Sequence, residues 1–175
     1  MRENFRAKAQ TEIHCMFITN LLPEHWEAVK TIYEEGIATG NATFQTAAPS
    51  WEEWDIAHSK QPRLVAMEED IVLGWAAITP VSGRCVYAGV GEVSVYVSAA
   101  ARGKGVGKQL LLALTEESEK QNFWTLQAGI FPENTASVHI HEQCGFRLVG
   151  HREKIGKMKG VWRDTLLFEK RSTKF

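Results

Sequence analysis

The sharpest chemical signal in the chain is Arg102-Gly103-Lys104-Gly105-Val106-Gly107-Lys108. It follows the strand-like Val95-Tyr96-Val97 and precedes a helical pattern with Leu110, Leu111 and Leu114 on one face. A helix N-terminus leaves backbone N–H groups free and carries positive partial charge, so it can hold phosphate. Glycines let such a turn close on an anion at positive φ, and Arg102, Lys104 and Lys108 add charge. The glycines fall as G-x-G-x-G and Gln109 follows Lys108, so this is neither a Rossmann fingerprint nor a Walker A loop. Spacing alone leaves an ordinary tight strand-to-helix turn open.

Two further groups offer polar chemistry. Glu92 opens the strand leading into the turn, where a carboxylate can attract an ammonium and take its proton; a solvated strand-end Glu fits the spacing too. Asn134, Ser137 and His141 stand at helical offsets that share one face, with Ala136, Ile140 and Cys144 as the apolar face. Each has a plainer reading, namely an N-cap, a solvated hydroxyl and a structural histidine. Cys15, Cys85 and Cys144 form no C-x-x-C pair, which argues against a zinc site or a disulfide framework. No Ser–His–Asp or Cys–His arrangement is evident, so direct attack is expected rather than an acyl-enzyme on Cys85.

Here the sequence resembles a known family. Arg102-Gly103-Lys104-Gly105-Val106-Gly107 looks like the coenzyme A signature [QR]-x-x-G-x-[GA] of GNAT acetyltransferases. Asn134-Thr135-Ala136-Ser137, followed by His141-Glu142-Gln143-Cys144-Gly145-Phe146, looks like its second half. Ala42-Thr43-Phe44, the strand Glu92-x-Ser94-Val95-Tyr96-Val97 and Trp162-x-Asp164 are similar to the phosphinothricin and methionine-sulfoximine acetyltransferase branch. The resemblance runs through roughly residues 16–170.

The resemblance implies an α/β GNAT fold: a central mixed, mostly antiparallel sheet with a splayed parallel strand pair, flanked by helices. It implies acetyl-coenzyme A as cosubstrate, without a metal. Cofactor contacts are expected at Val95, Tyr96, Val97, Arg102, Gly103, Lys104, Gly105, Val106, Gly107, Lys108, Asn134 and Ser137. Glu92 is expected as general base. His141 falls where many members place a tyrosine that protonates the leaving thiolate, so it is the candidate acid. Phe44, Arg84, Glu92, Val93 and Ser94 are the expected substrate contacts, with the planar fork of Arg84 suited to a carboxylate. The activity implied is acetyl transfer to the amino group of a small amino acid or analogue. Another small amine or a peptide N-terminus is the alternative acceptor, and a non-catalytic acyl-coenzyme A sensor the alternative function. A homodimer is implied as well.

The elements that must position these residues follow from periodicity and punctuation. Helices are expected at Pro23–Ala38, from the Ser50-Trp51-Glu52-Glu53 capping box to Pro62, at Val106–Glu119, and from Asn134 to Gly145. Strands are expected at Leu64–Met67 and Ile71–Ile78, joined by an acidic turn, and at Glu92–Val97, Phe123–Ile130, Phe146–Arg152 and Trp162–Glu169. The strand-helix-strand unit through the glycine turn implies local parallel pairing. The 175 residues, 44% hydrophobic and 23% charged, suit one domain at 15–172 behind a flexible leader at 1–14. The net charge of −1 points away from nucleic acid and membrane surfaces and toward a small partner. The scattered cysteines and the lack of a signal-like or spanning apolar run point to the cytoplasm.

Overall fold

A computed structural model describes residues 15–175; the leader expected at 1–14 lies outside the described residues. Strands β1 (Phe17–Asn20), β2 (Arg63–Glu68), β3 (Ile71–Pro80), β4 (Val90–Val97), β5 (Thr125–Ile130), β6 (Arg147–Met158) and β7 (Val161–Arg171) form one sheet. Its spatial order is β1-β2-β3-β4-β5-β7-β6. Neighbours run antiparallel except β4 and β5, the parallel pair that the strand-helix-strand unit required. Helices α1 (Trp26–Ala38), α2 (Trp51–Ala57), α3 (Val106–Lys120) and α4 (Thr135–Gln143) complete the chain, with three short 3-10 turns between them.

Strand alternation divides the core in two. Ala76 and Ile78 of β3 point into a cluster with Leu110, Leu111 and Leu114 of α3. Trp75 and Ala77 point the other way, against Trp26, Val29 and Ile32 of α1 and Trp54 of α2. The three leucines of α3 are fully buried, each contributing roughly 1.5–3 kcal/mol of transfer free energy.

The differences from the sequence expectation have local causes. β1 has no counterpart among the strands expected from sequence: its four residues are too few to show alternation, and it exists through its ladder with β2. The capping box forms as expected, with Glu53 N–H donating to Ser50 Oγ at 3.2 Å and Ser50 N–H to Glu53 Oε2 at 2.9 Å. Pro62 does not end α2. The helix stops at Ala57, where His58 turns extended and its Nδ1–H donates back to Trp54 O at 2.7 Å. β6 runs past Arg152 to Met158 through a bulge, which Asp164 stabilises by accepting from Lys154 N–H at 2.8 Å. On α4 Ala136 is exposed, and Val138 packs against the core in its place.

Candidate active site

The site begins where β4 and β5 part. They pair over Val90–Glu92 and Thr125–Gln127 only. Beyond that point Val93–Val97 and Ala128–Ile130 line a cleft of about 1200 Å³. Ser98 N–H bonds Leu73 O across β3, and antiparallel ladder bonds alternate. The same alternation turns the backbone groups of Tyr96, Ser94 and Glu92 toward β3 and those of Val95 and Val97 toward the cleft. An unpaired strand edge inside a cleft can pair with amides of an extended ligand.

At one end of the cleft lies the glycine turn. Gly105 is the N-cap of α3 at φ +80° and Gly103 stands at +76°, conformations that favour glycine. Gly103, Gly105, Val106, Gly107 and Lys108 line the wall together with Arg102. Lys104 is exposed at the turn and is not part of the wall. The fifteen-residue helix thus aims its free N–H groups and two cations into the cleft. This is the donor set that a pyrophosphate with an amide-bearing arm requires.

Glu92 lies on the α1/α2 face of the sheet, opposite Thr79 on β3 and Gln127 on β5. Gln127 Nε2 donates to Glu92 Oε2 at 3.1 Å, which fixes the carboxylate beside the splay. Sequence reasoning missed Gln127; its place opposite Glu92 is set by the β4–β5 register. Ser94 shares this face and the cleft wall, whereas Val93 borders the cleft with its side chain turned into the core on the opposite face. Tyr96 reaches the cleft, but its ring stacks on Trp75 at 4.8 Å and meets Tyr33 edge-on at 4.8 Å. Burial pushes its hydroxyl pKa well up.

Phe44 forms part of the far wall. Its ring meets Phe131 edge-on at 4.8 Å and fits against Gly156 of β6, where an added Cβ would lie 2.7 Å from the ring. Two clamps hold this loop. Asn134 caps α4 by accepting from Ser137 N–H at 3.1 Å, while its Nδ2 donates to Asn41 O at 3.1 Å. Arg163 donates to Gly40 O at 3.1 Å and to Asn41 Oδ1 at 3.0 Å. Asn134 is therefore an N-cap and a loop tie, as well as a cleft residue.

His141 and Arg84 depart from expectation. His141 is buried, and its Nδ1–H donates to Ser137 O at 2.8 Å. Burial lowers its pKa, so the ring is neutral and its one proton is committed at Nδ1. Nε2, buried without a partner among the described residues, is then an acceptor, so the proton-donor role expected of His141 does not fit. Arg84 is not brought to Glu92 either. It stands on an exposed loop before the 3-10 turn Cys85–Tyr87, its guanidinium 5.6 Å from the Tyr87 ring centre, and it is absent from the cleft wall. Among the described residues no group of three or more His, Cys, Asp or Glu could hold a metal, and no helix is long and apolar enough to cross a membrane.

Comparison with known proteins agrees with this geometry. Residues 23–146 match the Acetyltransferase (GNAT) family. Over 149 residues the chain is 34% identical to a phosphinothricin N-acetyltransferase of Alcaligenes faecalis, covering 82% of this chain and 76% of that one. Over 117 residues it is 38% identical to an L-methionine sulfoximine/L-methionine sulfone acetyltransferase of Pseudomonas paraeruginosa, covering 63% of this chain and 66% of the relative. The crystal structure of a GNAT superfamily phosphinothricin acetyltransferase of Sinorhizobium meliloti in complex with AcCoA matches with a TM-score of 0.80 at 28% identity, covering 89% of this chain and 88% of that one.

Proposed function

The chain belongs to the acetyltransferase (GNAT) family, and on that premise we propose that it acetylates the α-amino group of a small amino acid or analogue of the phosphinothricin or methionine sulfoximine kind. It is an acetyl-coenzyme A-dependent N-acetyltransferase. The observation that carries the acceptor reading is the carboxylate of Glu92, held by Gln127 in the same cleft as the α3 N-terminus.

The residues divide the work as follows. The turn Gly103–Lys108 and Arg102 would hold the pyrophosphate, while the cleft edge at Val95 and Val97 would take the amides of the pantetheine arm. Asn134 and Ser137 would flank that arm. Acetyl-coenzyme A supplies an acetyl thioester at the splay. An α-ammonium has a pKa of about 7.7–8.0 and is mostly protonated at neutral pH. Glu92 draws it in and accepts the proton, leaving a nitrogen able to attack. A backbone N–H of Val95 or Val97 serves as donor to the thioester oxygen as charge builds there. A thiol has a pKa of about 8.5, so its anion departs without a protein acid and takes up, through solvent, the second proton that the attacking nitrogen must lose to become the amide. That agrees with a neutral His141 whose proton is bonded to Ser137. Phe44 and Ser94 bound the acceptor.

The exposed apolar residues Leu148, Ile155, Val161 and Trp162 on the β6–β7 hairpin support pairing with a second copy of the chain. The free cysteines Cys15, Cys85 and Cys144 suit the reducing cytoplasm. The test is thiol release from acetyl-coenzyme A against a panel of amino acids, plain amines and peptides, with the acetylated product identified by mass. Amino acids or their analogues should be the best acceptors. Preference for a peptide N-terminus, or acetyl-coenzyme A binding with no turnover on any amine, would refute the reading.

A further inference from the structure

We propose that Arg152, together with Thr165, forms the anion-reading half of the acceptor site and binds the carboxylate of the amino acid. The inference rests on the amino-acid acceptor proposed above and moves the clamp from Arg84 to the β5–β7 side of the cleft, where Arg152 stands directly behind the wall residues Gly129 and Thr165.

The placement follows from strand parity. Glu92 pairs with Gln127, and the two side chains meet on the α1/α2 face of the sheet. Gly129, two residues along β5, faces the same way. Gly129 lies opposite Leu167 on β7, so Thr165 shares this face, and Arg152 is the cross-strand partner of Thr165 on β6. The Arg152 side chain reaches back over β7. Its Nη2 lies 3.6 Å from the point a Cβ would occupy at Gly129, and Gly129 and Thr165 both line the cleft.

Two buried polar atoms here have no partner among the described residues: Arg152 Nε and Thr165 Oγ1. Leaving such donors unsatisfied is costly, the more so on a cation. An oxyanion admitted by a shift of the Arg152 side chain would satisfy both. The guanidinium fork matches a carboxylate with two parallel hydrogen bonds, and the hydroxyl adds a third donor. With Glu92 on the ammonium and Arg152 on the carboxylate, the cleft reads both charges of a zwitterion. The α-amine is thereby aimed at the splay between β4 and β5. Arg84, over Tyr87 on its exposed loop, makes no such arrangement.

The experiment compares methionine sulfone with its decarboxylated amine, methylsulfonylpropylamine, as acceptors for wild type, Arg152→Gln, Arg152→Lys, Thr165→Val and Arg84→Ala. Thermal midpoint and the KM for acetyl-coenzyme A are followed in each. Wild type should prefer the amino acid. Arg152→Gln should raise its acceptor KM and erase about 10- to 100-fold of that preference, the loss expected of charge-assisted hydrogen bonds. It should leave the amine and acetyl-coenzyme A parameters near wild type, which a merely structural role would not do. Arg152→Lys should restore part of the preference, and Thr165→Val should lose a smaller part and stands as the test if Arg152→Gln fails to fold. If wild type discriminates and neither Arg152→Gln nor Thr165→Val changes the ratio, or Arg84→Ala alone abolishes it, the Arg152 assignment is wrong and the amino-acid acceptor survives. If wild type does not distinguish acid from amine, the acceptor reading fails and this inference with it.

Discussion

Replacing Gly105 by alanine isolates the backbone conformation to which the proposal assigns cofactor binding. Gly105 sits at φ +80°, and no atom lies within 4 Å of the point where a Cβ would be added. The substitution therefore brings no clash, only the strain of an L-residue in the left-handed region, about 1–2 kcal/mol. The free protein can relax by turning out of that region, which swings the first amides of α3 away from the cleft. Binding the pyrophosphate demands the original conformation, so the strain reappears as lost affinity. At about 1.4 kcal/mol per tenfold, the Kd for coenzyme A should weaken by roughly 5- to 30-fold. The matched control is Gly160→Ala at the β6–β7 turn. Gly160 has φ +82° and an equally open Cβ position but stands outside the cleft. It should lower the thermal midpoint by about 2–8 °C and leave the Kd unchanged. Calorimetric titration with coenzyme A and thermal unfolding of the three proteins settle the matter. A folded Gly105→Ala with wild-type affinity, or a Gly160→Ala that loses as much, would refute the reasoning.

Two other perturbations read other parts of the structure. Gly156→Ala places a methyl 2.7 Å from the Phe44 ring, so the ring must shift from its place in the cleft wall; overpacking of about 1–3 kcal/mol should raise acceptor KM and spare that for acetyl-coenzyme A, and equal effects on both would remove Phe44 from the acceptor wall. Burial lowers the pKa of His58 and His141 below the ordinary 6.5, so the unfolded chain takes up protons before the folded one as pH falls. Their stability contribution is full above pH 6.5 and is lost as pH drops from there through the folded values. The urea midpoint should fall accordingly, and His58→Phe should flatten its slope with pH; an unchanged slope would mean His58 does not titrate with unfolding.

Much of this was readable in the chain because it rests on local rules. The turn before α3, the Ser50 capping box and the Asn134 cap each declare themselves within a few residues. The parallel β4–β5 pair follows from the length of chain between them. What stayed hidden depends on register between distant segments. Gln127 reaches Glu92 from 35 positions away, and Arg152 reaches Gly129 only because β7 inserts between β5 and β6. His141 shows the same limit in another form. Its position in the motif was legible, but its protonation is decided by burial and the Ser137 carbonyl, which no spacing reveals. Arg84 has the right residue type and lies near Glu92 in sequence, but its exposed loop holds the guanidinium over Tyr87.

The central claim is that Glu92 accepts the proton of an amine attacking acetyl-coenzyme A in this cleft. Its most direct test is single-turnover acetyl transfer by Glu92→Gln, with acetyl-coenzyme A affinity measured on the same sample. Glutamine keeps the shape of the side chain beside Gln127 and removes the base. Transfer should slow by roughly 10²–10⁴-fold, the range for a lost proton-transfer group, with affinity near wild type. Transfer at the wild-type rate with the wild-type pH profile would contradict the account.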